Sequence, residues 1–187
     1  MLKRLLSIWF RRKGWRFAGH LPRKTEQCIL LVAPVSGSED LYIGVATAYL
    51  ARLEVEILLP QSAFRSPIRA MLLRAIGCSA IPTASEAEMS HEITGRFKPK
   101  TPKLLALAPQ LFGLNTPLGS FWYDAAKAKH LPVALIGIDH RNKVVKFHSW
   151  FYVSGNRERD IEFVYNFFAG IQPADPAQTI ERFPLPS

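Results

Sequence analysis

Cys28-Ile29-Leu30-Leu31-Val32, followed at once by Ala33-Pro34-Val35-Ser36-Gly37-Ser38-Glu39-Asp40, is the stretch that decides the fold. The first five residues are apolar without alternation, the pattern of a strand covered on both faces, as in a parallel sheet. Pro34 to Ser38 then reads as a loop, and Asp40 to Arg52 as a helix. The same order repeats along the chain. Strands are expected over 55–59, 79–82, 104–108, 133–138 and 144–147, with helices over 65–76, 85–96, 120–129 and 159–170. Strands alternating with helices predict an α/β fold with a largely parallel central sheet flanked by helices.

Upstream, Met1 to Arg12 reads as an amphipathic helix. Leu2, Leu5, Leu6 and Trp9 recur at helical spacing, and Lys3, Arg4, Arg11, Arg12 and Lys13 flank them. Such a helix can lie in a membrane interface, so these nine residues are the expected membrane contact. The alternative is an ordinary helix packed on the domain with its cations in water. A short strand is expected over 14–19. The division is a basic helix over 1–13, an α/β domain over 14–171 and a Pro-rich extended tail over 172–187.

The chain has 187 residues, 48% of them hydrophobic and 21% charged, enough to bury a sizeable core. Its net charge is +9, and residues 1–16 supply six cations and no acid. An anionic partner follows, and an anionic phospholipid membrane fits best because the cations sit beside apolar residues. Nucleic acid is a distant alternative without a recognised motif. Two cysteines, Cys28 and Cys78, make a disulfide framework or a cysteine metal site improbable. No metal site is expected. No apolar run reaches membrane-spanning length, and no secretory leader is evident, so a peripheral position on the cytoplasmic face of the membrane is expected.

Four segments together resemble the glycerolipid acyltransferases, the lysophosphatidic acid acyltransferase family, over roughly residues 14–170. The first motif of that family is a His, four residues and an Asp, often written Ala-Pro-His at a strand end. Here Asp40 is present and Val35 stands at the His position. Phe64-Arg65 matches the second motif, in which the Arg helps bind the acceptor's glycerol phosphate. In the third motif Pro109 is kept, while Gln110, Leu111, Phe112 and Gly113 replace Glu, Gly, Thr and Arg. Leu131-Pro132-Val133-Ala134-Leu135 resembles the fourth.

The resemblance implies an acyltransferase-like fold with a site at the strand ends. Asp40 would be its catalytic remnant, and Phe64, Arg65, Gln110, Ser36 and Ser38 its substrate contacts. It implies no cofactor, with acyl-CoA or acyl carrier protein as co-substrate if the protein is active. Acyl carrier protein or an intact paralogue would be its protein partner. A valine cannot take a proton, so the expected function is binding of lipid or an acyl chain without the standard transfer to lysophospholipid. The alternative is transfer from an acyl thioester by a modified mechanism. His20, His91, His130, His140 and His148 are the imidazoles that could replace the base. His20 precedes the first core strand and His140 follows another, neither with a spacing that places it beside Asp40, and a lone His in such a setting reads as a surface or capping residue.

Overall fold

A computed structural model of the chain describes residues 2–19, 26–82, 85–114 and 118–182. Seven strands form one sheet: β1 (Arg16–Ala18), β2 (Gln27–Ala33), β3 (Val55–Pro60), β4 (Cys78–Ile81), β5 (Lys103–Leu107), β6 (Val133–Asp139) and β7 (Val144–Phe151). Their order is β1-β7-β6-β2-β5-β3-β4. Every neighbouring pair is parallel except β6 and β7, which are antiparallel and joined by a tight turn. The sheet is thus the expected α/β sheet, and β7 is the strand the pattern undersized. Its last residues are partly exposed, so its apolar signal stops early.

Burial follows the order of strands. All seven residues of β6 are buried, and β2 is nearly so, because both lie inside the sheet with helices on each face. The edge strand β1 is exposed throughout. On one face lie α1 (Leu2–Arg12), α2 (Ser38–Leu50) and α3 (Pro67–Ala75). On the other lie α4 (Glu86–Arg96), α5 (Phe121–Lys129) and α6 (Arg157–Phe168). Alternate residues of a strand serve the two layers: Leu58 packs with α4 and α5, while Ile57 and Leu59 pack beneath α2 and α3. Phe121, Trp122 and Tyr123 open α5 and fill the larger core. Helix starts are set locally. Ser85 Oγ accepts from the Glu88 amide at 3.2 Å and Asn156 Oδ1 from the Arg159 amide at 3.1 Å.

The cysteines sit apart in separate clusters beneath the α1–α2–α3 layer, Cys28 on β2 and Cys78 on β4. Burial pushes the Cys28 and Cys78 thiols up to about 12, Lys3 offsetting the effect slightly at Cys78. A maleimide probe near neutral pH is therefore expected to label neither in the folded protein and both in denaturant. Mass spectrometry of the adducts checks this.

The described part of the C-terminal segment is tied to the domain. Ile171 and Ile180 are buried in the larger core. Between them a 3-10 turn over Pro176–Gln178 crosses the strand ends. No helix among the described residues is long and apolar enough to cross a membrane.

Candidate functional site

Connections from β2 and β5, which are neighbours, leave in opposite directions: β2 leads through α2 to β3, and β5 through α5 to β6. In an open α/β sheet such a reversal leaves a crevice at the carboxyl ends of the strands, the usual place for a ligand. The loops bordering it are Pro34–Gly37 and the 3-10 turn Pro109–Phe112.

Asp40 is buried in the first turn of α2, where the helix dipole favours a carboxylate. Its Oδ2 accepts from the amides of Ser36 at 2.6 Å and Gly37 at 3.2 Å, closing the loop onto the helix. Its Oδ1 meets His140 Nε2 at 2.5 Å. This corrects the expectation that no histidine reaches Asp40. His140 directly follows β6, which pairs with β2 in the register Ile29↔Val133 through Ala33↔Gly137. Continued three residues past the last pair, that register sets His140 opposite Ser36. An imidazole therefore enters the loop from the adjacent strand, not from position 35.

His140 is held on three sides. Asp40 takes Nε2, the His140 amide donates to Gln172 O at 2.8 Å, and the buried Trp15 ring stands edge-on at 5.0 Å and 88°. An ionised carboxylate only accepts, so Nε2 is the donor to Asp40, and in the neutral imidazole Nδ1 is then the nitrogen with the lone pair. Among the described residues none hydrogen-bonds Nδ1. The other described histidines do not approach the site. His91 is exposed on α4, His130 ends α5 in a left-handed conformation, and His148 bonds Ser149 O at 2.8 Å among Phe163 and Phe167. His20 lies outside the described residues.

Val35 is buried, and its amide donates to Gln110 Oε1 at 2.7 Å. Gln110 Nε2 in turn donates to Gln178 O at 3.0 Å. Ser36 Oγ accepts from the Asp175 amide at 3.3 Å. The C-terminal segment thus occupies the crevice that the Pro109–Phe112 turn borders, and Gln110 joins two loops. A glutamate there could not donate to Gln178, which gives the Gln a structural reason. Ser38 is exposed at the start of α2. Phe64 packs with Leu73 and Ile76 and lies 5.9 Å beneath the Arg74 guanidinium. Arg65 is exposed at the end of the 3-10 turn Gln61–Phe64, away from the dyad's own contacts. Phe112 belongs to the opposite layer, 5.6 Å from Phe121.

Beneath α2 lies a cavity of about 70 Å³. Leu41, Gly44, Thr47 and Ala48 form its roof, Leu30, Ala106 and Ile136 part of its floor, and Val35 and Asp40 stand at the dyad end. Only Asp40 and Thr47 bring polar side chains to it. Phe64, Arg65 and Gln110 do not line it, so the expected single pocket resolves into an apolar cavity and a separate, closed crevice.

A Cβ added at Gly44 would meet nothing within 4 Å. Gly44→Ala should therefore stabilise α2 by about 0.5–1 kcal/mol, read as a higher urea midpoint. Gly44→Leu should fill the cavity with little loss of stability, which the same urea midpoint checks.

Among the described residues no cluster of His, Cys, Asp and Glu could hold a metal. No family model, curated protein or solved structure matches the chain significantly.

Proposed function

We propose that the protein handles acyl thioesters at a membrane surface, with the His140–Asp40 dyad supplying the base that Val35 cannot. The observation carrying this is the 2.5 Å contact between His140 Nε2 and Asp40 Oδ1 beside an apolar cavity that Asp40 also lines. Asp40 fixes the tautomer and stabilises the imidazolium that forms, and Nδ1 accepts the proton. In that reading an acceptor hydroxyl gives its proton to Nδ1 as its oxygen bonds to the thioester carbonyl carbon. The carbon–sulfur bond breaks, and the departing thiolate takes the proton back from the imidazolium. The cavity holds the near part of the acyl chain. The co-substrate is acyl-CoA or acyl carrier protein, and the acceptor a lysophospholipid or another alcohol or amine. The cations of α1 favour a peripheral position at an anionic membrane.

A second reading, acyl-chain binding without transfer, is favoured by the Gln110–Gln178 contact that closes the crevice where an acceptor head group would sit. Thiol release from a short-chain acyl-CoA, with and without a lysophospholipid, separates the two. Release above the uncatalysed rate that vanishes in Gly44→Leu supports transfer or hydrolysis. Chain binding without release supports the second reading.

A further inference from the structure

The α1–α2–α3 layer differs from the opposite layer in both charge and apolar exposure. On α3, Ile68 is 70% exposed, Met71 63% and Leu72 50%, while Ala70 and Leu73 face the core. Three large apolar side chains on one nine-residue helix are therefore left in water. Arg65, Arg69 and Arg74 surround them, and residues 57–85 contain no Asp or Glu. By contrast, α4 and α6 on the opposite face carry Glu86, Glu88 and Glu92, and Glu158, Asp160 and Glu162.

α1 cannot supply this surface alone. Phe10 is buried, and Leu6 and Trp9 pack against the core, so of its described apolar residues only Leu5 and Ile8 stay exposed, at 56% and 45%. The side chain of Leu2 lies outside the described residues. α1 packs chiefly on α2 and reaches the α3 side through its first turns. Leu6 packs with the cluster holding Leu73, Ile76 and Cys78, and Lys3 is near enough to influence the Cys78 thiol.

We infer that α3, not α1, is the principal membrane-docking element. Ile68, Met71 and Leu72 would enter the interface of an anionic bilayer, with Arg65, Arg69 and Arg74 against its head groups and Leu5 and Ile8 alongside. Short apolar faces ringed by arginine suit this partner, since apolar insertion and attraction to anionic lipid act together. The inference extends the peripheral-membrane part of the proposed function and does not depend on the dyad's chemistry.

Co-sedimentation of the full chain with phosphatidylcholine vesicles, with and without phosphatidylglycerol, tests it. Native protein should partition onto the anionic vesicles, less so in high salt. The triple variant Ile68→Asp/Met71→Asp/Leu72→Asp should lose at least about tenfold in partition coefficient. Leu5→Asp/Ile8→Asp should lose less. All five side chains are exposed, so circular dichroism should be unchanged. Undiminished binding by the α3 variant, or a larger loss in the α1 variant, overturns the inference. So does native protein that ignores vesicles and instead dimerises through α3 in sedimentation velocity. Thiol release from a soluble short-chain thioester is measured in parallel. If it is absent while α3-dependent vesicle binding persists, the acyl-transfer reading fails and the docking surface stands.

Discussion

His140→Ala should lower thioester cleavage by about 10²–10⁴-fold, the range a positioned general base contributes. Acyl-chain binding should stay near its native value, because His140 does not line the cavity. The loss therefore falls on the rate constant and not on binding. Asp40→Asn should also cost about 10²-fold or more, since an amide can donate to Nε2 and leave the proton on Nδ1. Position 35 discriminates further. Val35→His alone should gain nothing, because Asp40 Oδ1 already holds His140 and Oδ2 holds the loop amides. In Val35→His/His140→Ala the freed Oδ1 can take the new imidazole, and part of the activity should return. Single-turnover thiol release measures all four variants. Full activity in His140→Ala would remove the dyad from the chemistry.

The sheet and the helices of both layers were legible in the sequence because continuous apolar runs mark β2, β5 and β6, and turn residues separate them. Asp40 was legible as well, since the loop before it and the helix after it are local features. His140 was not. It lies 100 residues from Asp40, and nothing in the pattern says that β6 pairs with β2. Given that adjacency, the register would have been enough to place it. The split of the pocket was hidden for the same kind of reason. Gln110 reads as a degenerate motif position until the C-terminal turn is seen to reach it, 68 residues away. The apolar stripe assigned to membrane contact, Leu2, Leu5, Leu6 and Trp9, was built from periodicity, which cannot tell a face turned to lipid from one turned to the core. Phe10 and part of that stripe went to the core.

Asp139→Ala should destabilise the protein by about 2–4 kcal/mol, lowering Tm by about 5–15 °C. Asp139 closes β6 fully buried and accepts from the Asn142 amide and Nδ2, each at 3.0 Å, and from Lys146 Nζ at 2.8 Å. These bonds fix the turn between β6 and β7. Burial alone would raise its carboxyl, but the Lys146 and Asn142 contacts outweigh it and hold the group below the usual carboxylate range. The sign follows. With a folded value below the unfolded one of about 4, the unfolded state binds more protons, so stability rises with pH in that window. The contribution is complete above the unfolded value and drains as pH falls through the folded one. Asp139→Asn, which keeps the shape, should flatten that acid limb while leaving the neutral-pH loss, as urea midpoints across acid pH would record. The turn also sets where His140 points. Either variant should therefore lower thiol release beyond what the unfolded fraction explains, because the imidazole's place opposite Ser36 depends on the residue that precedes it.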